Sequence, residues 1–304
     1  MIKHIRIISP SGAIDPSYID GAASRLRSWG FTVSEGPHAR SRWGRFAGTD
    51  EDRLKDLTEA LGDPTVDAIL CSRGGYGLQR IIDRVPFITK PVIGFSDITA
   101  LHQLSAISGQ PSVHGIMCKH IATLPEESEP ITALRQILSG EDVQYTWESH
   151  PLNTPGHACA PIIGGNLSVL CGLQGTPYGV TDIMHHAQCT IHNERPILLI
   201  EDIGERHYHV DRMIRNLRMS GVLANLSGLV VGQFSDCDDD PLMNASVYET
   251  IKEAVAEYNY PILFNAPIGH VEHNVPLLLN HHATIDSGAH STLLTHGFNV
   301  DISD

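Results

Sequence analysis

The chain has 304 residues, 41% hydrophobic and 18% charged, enough apolar material for the core of one or two domains and not the composition of a disordered or collagen-like chain. Lysine and arginine number 21 against 35 acids, a formal net charge of −14, which argues against nucleic acid or an anionic membrane as a partner. The 18 histidines raise a metal alternative that the motifs must answer.

The opening MIKHIRIISPSG has a short apolar stretch interrupted by Lys3, His4 and Arg6, too short for a signal peptide or a membrane span. HIRIIS (4–9) is expected as a strand, followed by a helix from Pro16 to about Trp29 and a second strand in FTVSEG (31–36). Thr49 followed by Asp50, Glu51 and Asp52 predicts an acidic helix start, with Leu54, Leu57 and Leu61 on one face. VDAILCS (66–72) is a buried strand running into the glycine turn Gly74-Gly75-Tyr76-Gly77, with a helix to about Val85. PVIGFS (91–96) is another strand, running directly into the helix DITALHQLSAIS. This alternation predicts a doubly wound, mostly parallel sheet, whose ligands lie beyond the C-terminal ends of the strands.

The α/β reading gives an N-terminal domain over residues 1–140, a Pro-containing polar linker over 141–161 and a smaller, β-rich α+β domain over 162–304. The second domain opens with GGNLSVLCGLQGTPYG (164–179), read as a glycine turn entering a helix. PILLIEDI (196–203) and SGLVVGQF (227–234) are strands, separated by a helix over 209–218. A helix over 245–258 follows, with strands around PILFNAPIG, ATIDS and STLLTH.

Cys71, Cys118, Cys159, Cys171, Cys189 and Cys237 form no C-x-x-C pair, so they read as reduced, mostly buried thiols of a cytoplasmic protein. His185-His186, His207-x-His209, His270-x-x-His273 and His281-His282 include no H-E-x-x-H helix, and no Walker A or G-x-G-x-x-G sequence occurs. No metal and no cofactor is expected.

Three residues at strand ends have reactive chemistry. Ser96, in Gly94-Phe95-Ser96-Asp97, stands where a strand turns into a helix, either as an exposed nucleophile or as a helix cap. Glu201 ends PILLI at a strand's C-terminal edge, either as a functional carboxylate or as a solvent-facing acid or a cap for the helix that follows. His270 follows Gly269 in a turn, as an aimed imidazole or a surface histidine. The chain order serine, acid, histidine permits a triad without specifying one.

SRGGYGLQRII (72–82), VIGFSDITALH (92–102), GGNLSVLCGLQGTPY (164–178), LIEDIGERHYHVDRMIRNL (199–217) and PIGHVEHNVPLLLNHHATI (267–285) together resemble the LD-carboxypeptidase family of serine peptidases. RFAGTDEDRL (45–54) is similar to an early motif of that family. The resemblance implies Ser96 as nucleophile, Glu201 as acid and His270 as base, with the backbone amides of Gly75 and Asp97 as oxyanion hole. It also implies a homodimer and a small peptide substrate, a cytoplasmic murein tetrapeptide that loses its terminal D-alanine. Arg73, Tyr76, Asn166, Glu205 and His207 adjoin the matching blocks and are candidates for substrate contact. For Arg73 a structural ion pair, and for Tyr76 a packed turn, remain the alternatives. An immunity-type peptidase acting on peptidyl or aminoacyl nucleotides shares the scaffold, but no long aromatic-rich insertion lies between Asp236 and Ala245. A non-catalytic muropeptide binder has no need of all three reactive residues.

Overall fold

A computed structural model describes residues 2–185 and 194–298; His186 and Cys189 lie outside the described residues. In chain order the strands are β1 (His4–Ile8), β2 (Thr32–Glu35), β3 (Ala68–Cys71), β4 (Val92–Gly94), β5 (Ser112–His114), β6 (Val143–Glu148) and β7 (Gly156–Asn166). They continue with β8 (Ile197–Ile203), β9 (Gly228–Ser235), β10 (Ile262–Leu263), β11 (Leu277–Leu279), β12 (His281–Ser287) and β13 (His290–Thr295).

The first sheet has the order β11-β5-β4-β3-β1-β2 and is parallel except for β11, which runs antiparallel on β5. Helices cover both faces. On one side are α1 (Pro16–Ser28), α4 (Cys118–Thr123) and α5 (Glu129–Ser139), and on the other α2 (Asp50–Gly62) and α3 (Thr99–Ile107). The acidic start of α2 is a capping box in which the Thr49 hydroxyl accepts from the Asp52 amide and the Asp52 carboxylate accepts from the Thr49 amide. The segment after the glycine turn does not become the expected helix. It makes two short 3-10 turns, 78–80 and 82–84, because its backbone is held by Arg53 and Asp97 from other elements.

The second sheet has the order β10-β9-β8-β7-β12-β13-β6. Its first four strands are parallel and the rest form an antiparallel meander, a mixed sheet within the β-rich α+β part of the chain. Helices α6 (Leu167–Leu173), α7 (Val180–His185), α8 (His207–Met219) and α9 (Val247–Ala254) cluster on one face of its parallel half. The stretch read as a linker, 141–161, contains β6 and the first half of β7 and so belongs to this sheet. Part of its polarity comes from outward-facing strand positions: β6 alternates buried Val143 and Tyr145 with exposed Gln144 and Thr146.

Strand β8 is buried on both faces. Ile197 and Leu199 join a core that also receives Ile7, Leu70 and Ile93 from the first sheet, while Leu198 and Ile200 pack under α6 and α8. Each such side chain contributes about 1.5–3 kcal/mol on burial, and the shared core locks the sheets together. The second contact between the sheets explains Gly165, expected in a turn but found inside β7. A Cβ there would stand 2.5 Å from the Thr99 hydroxyl at the start of α3, and Thr99 in turn accepts from the Asn166 amide at 3.0 Å. The helix that follows Ser96 is thus docked directly on the second sheet.

Candidate active site

Ser96 follows β4 at the point where the chain leaves the first sheet. Its φ is +68°, a left-handed conformation that a non-glycine residue adopts only where the surroundings enforce it. The enforcement comes from its neighbours. Asp97 is buried, and its Oδ2 accepts from the Ser11 hydroxyl at 2.6 Å and the Leu78 amide at 3.0 Å. Burial raises its carboxyl above the ordinary value. Buried Arg53 donates to the carbonyls of Pro10 and Gly77 and pairs with Asp50. The loop after β1, the glycine turn after β3 and the Ser96 turn after β4 are therefore one hydrogen-bonded unit.

Glu201 sits on β8 at a register shift between Ile200 and Asp202 in the β8–β9 pairing, a bulge of the kind that re-aims a side chain. Its carboxylate is fully buried, and Oε2 accepts from His270 Nδ1 at 2.8 Å. Burial alone raises such an acid; the imidazoles of His114 and His270 outweigh it and hold Glu201 down to about 2. The loop bearing His270 is fixed internally by Asn274, whose Oδ1 accepts from the Gly269 amide at 2.9 Å. Next along β8, Asp202 faces the other way and accepts from Asn166 Nδ2, the Ser168 amide and the Ile203 amide. Burial, then the Glu201 charge, pushes Asp202 up to about 6.

Ser96 and His270 line one cleft of about 630 Å³. Among the described residues Ser96 Oγ makes no hydrogen bond, and His270 Nε2 likewise has no partner. Phe95 packs its ring 4.9 Å from that of His270. Gly75 also borders the cleft, and the amides of Gly75 and Asp97 donate to no acceptor among the described residues. Arg73 lines the cleft and donates to the Ala13 carbonyl at 3.0 Å, and it forms no ion pair among the described residues. Tyr76 is exposed beside the Phe46 ring, and with buried Asn166 it lines a smaller hollow that shares Gly75 and Ser96. Asn166 caps α6.

Two expected contact residues are elsewhere. Glu205 and His207 line a separate acidic hollow with Asp236, Asp238, Asp239 and Asp240. His207 is a saturated core histidine, bonded to Thr250 Oγ1 at 2.7 Å and accepting from the Asp240 amide at 3.1 Å. Their closeness to Glu201 in sequence is undone by the turn at Gly204, between the end of β8 and the start of α8. Among the described residues no three histidines, cysteines or acids converge on a point where a metal could be held.

Sequence reasoning missed Asp15, Arg42, Lys119 and His120 on the cleft wall and His114 behind Glu201. His114 ends a strand of only three residues, too short to be recognised by pattern.

The description of the LD-carboxypeptidase N-terminal domain matches residues 5–115, and that of the C-terminal domain matches residues 160–285. The chain is 31% identical to the Bacillus subtilis protein named "Probable murein peptide carboxypeptidase", over 96% of this chain and 92% of that one. The crystal structure of muramoyltetrapeptide carboxypeptidase from Oxalobacter formigenes superposes with a TM-score of 0.83 at 26% identity, covering 97% of this chain and 99% of that one. MccF in complex with glutamyl sulfamoyl guanosine shares the fold, with a TM-score of 0.80 at 19% identity over 98% and 97% of the two chains. Among the described residues no helix is long and apolar enough to cross a membrane. The two-domain architecture, both domain matches and the whole-length relatives agree: the chain belongs to the LD-carboxypeptidase family.

Proposed function

We propose that the chain is a serine LD-carboxypeptidase that releases the terminal D-alanine of murein tetrapeptides through Ser96, His270 and Glu201. The observation that carries this reading is the bond from His270 Nδ1 to buried Glu201 at 2.8 Å, which leaves Nε2 free on a ring that lines the Ser96 cleft. The Ser96 oxygen attacks the carbonyl carbon of the third residue while His270 Nε2 takes its proton. The oxyanion that forms is met by the amides of Gly75 and Asp97. Collapse breaks the peptide bond, and His270 returns its proton to the D-alanine amine. Water then attacks the acyl-enzyme by the same route and frees Ser96. Throughout, Glu201 stays ionised and stabilises the imidazolium.

The charge of the cleft supports a substrate that ends in a carboxylate. In a chain of net charge −14, the cleft lining holds three cations, Arg42, Arg73 and Lys119, and one carboxylate, Asp15. A local positive field of this kind concentrates anionic peptides. The reading carries with it a cytoplasmic place in murein recycling and a homodimeric state, which fractionation and sedimentation test.

The decisive experiment is mass spectrometry of purified wild type, Ser96→Ala, Glu201→Gln and His270→Ala incubated with tetrapeptide, pentapeptide and a nucleotide-linked peptide. D-Alanine release from tetrapeptide is expected, and each variant is expected to lose at least about 10³-fold in kcat. Full activity of Ser96→Ala overturns the mechanism. Preference for the nucleotide-linked peptide moves the substrate to the immunity-type peptidase class.

A further inference from the structure

The carboxylate of Glu201 has two oxygens, and the proposed triad uses one. Oε2 is bonded to His270, while Oε1 is buried with no hydrogen-bond partner among the described residues. Facing it across 4.0 Å is Nε2 of His114, and both nitrogens of that ring are buried and likewise without a partner among the described residues. An unpaired carboxylate oxygen in a dry interior is costly, typically several kcal/mol. The 4.0 Å gap is too short for a well-formed water bridge, because two hydrogen bonds meeting at a water's near-tetrahedral angle span about 4.5 Å. Closing the gap by about 1 Å makes a direct bond and satisfies Oε1 and Nε2 at once.

We propose that His114 is a positioning residue that donates its Nε2–H to Oε1 of Glu201, so that the catalytic carboxylate is gripped from both sides. The inference rests on the triad reading above. His114 ends β5 in the first sheet, where it pairs in register with Gly94, two residues before Ser96. Glu201 lies on β8 in the second sheet. The bond therefore ties the strand beside the nucleophile to the strand of the acid, across the boundary that the triad itself must span.

The other groups around the pair leave this role to His114. His102, with its ring 6.2 Å from that of His114, bonds to the Gly94 carbonyl at 2.9 Å, and burial drives its imidazole down to about 3, so it carries no charge. Phe95 covers another side of the His114 ring at 5.8 Å. Asp202, on the next residue of β8, is engaged by Asn166, Ser168 and Ile203. With Oε1 fixed by His114, Oε2 presents one orientation to His270. Without it the carboxylate can rotate, and the charge no longer drawn to Oε1 strengthens its hold on the His270 proton.

Nitrogen-15 NMR of histidine-labelled wild-type enzyme is expected to show His114 protonated at Nε2. A His114 with Nε2 bare overturns the proposal and needs no variant. In kinetics on tetrapeptide, His114→Phe keeps the ring volume but removes the donor. It is expected to lower kcat at least about tenfold, with KM changed less than about twofold, and to move the acid limb of kcat/KM to higher pH. His114→Gln, which restores an N–H donor, is expected to recover most of that loss. A His114→Phe enzyme with wild-type kcat and profile, or a His114→Gln enzyme no better than it, overturns the positioning role. Ser96→Ala assayed alongside separates the two levels: if it retains activity the triad reading fails. If it is inactive while His114→Phe behaves as wild type, only the role of His114 falls.

Discussion

Gly269 and Glu201 touch so closely that a Cβ on residue 269 would stand 3.0 Å from Oε2 and 3.2 Å from Cβ of the glutamate. The same glycine has φ +134°, which side-chain-bearing residues rarely adopt. It is this contact that lets the following residue, His270, lay Nδ1 against the buried carboxylate. Gly269→Ala is expected to push the loop away and lower kcat for D-alanine release at least tenfold, roughly the effect of a sub-ångström to 1 Å displacement in a catalytic pair. Steady-state kinetics with circular dichroism as a fold check tests this. Unchanged kcat would show that His270 does not depend on the close approach.

The second prediction concerns strain. Ser96 holds φ +68° although it has a Cβ, and left-handed backbone costs such a residue about 1–2 kcal/mol. Ser96→Gly is expected to be inactive and yet more stable than Ser96→Ala by about 1 kcal/mol in urea denaturation, because only glycine relieves the turn. Equal stability of the two variants would mean that the turn stores no such strain. The comparison uses two inactive proteins, so it measures the backbone separately from the chemistry.

These two positions also show what the sequence could and could not convey. Ser96 and Glu201 are legible as reactive residues at the ends of apolar strands, whereas His270 lies in a loop beyond β10 and is singled out from the other histidines only by the resemblance; strands β1, β3, β4 and β8 announce themselves as compact Ile-, Val- and Leu-rich runs. Strand β5 has three residues and β11 is the Leu277–Leu279 run, which joins the first sheet although it lies far along the chain. No local pattern carries such a pairing. Gly164 and Gly165 signal a turn by composition, yet they lie in β7 because Leu199 and Thr99 crowd the space where side chains would be. Glu205 and His207 drew attention through neighbouring Glu201, but the chain turns at Gly204 and takes both to another hollow.

Asp202 gives a prediction about pH. Its carboxyl is pushed up from 3.8 to about 6 by burial and then by Glu201, so the folded state holds its proton more tightly than the unfolded state does. The stability this contributes is fully present below about pH 4 and is lost as pH rises through about 6. Asp202→Asn removes that titration. Its melting temperature relative to wild type is therefore expected to climb between pH 4 and pH 7, on top of a constant offset from the altered bonds to Asn166 and Ser168. A pH-independent difference would show that Asp202 titrates as an ordinary carboxyl.

Arg73 tests the link between cleft charge and substrate. Its only hydrogen bond among the described residues is to the Ala13 carbonyl, so Arg73→Met, which keeps the length of the stem, is expected to leave the melting temperature nearly unchanged. If the guanidinium meets the terminal carboxylate of the peptide, the loss of a charge-assisted bond raises KM by roughly tenfold or more. A substrate whose terminal carboxylate is amidated lacks that partner and is expected to bind wild type and variant alike. Equal KM for the acid substrate in both proteins would assign the carboxylate to Arg42 or Lys119, the remaining cations of the cleft lining. A large fall in melting temperature would instead make Arg73 a structural brace for the loop after β1, since Ala13 is the group it holds.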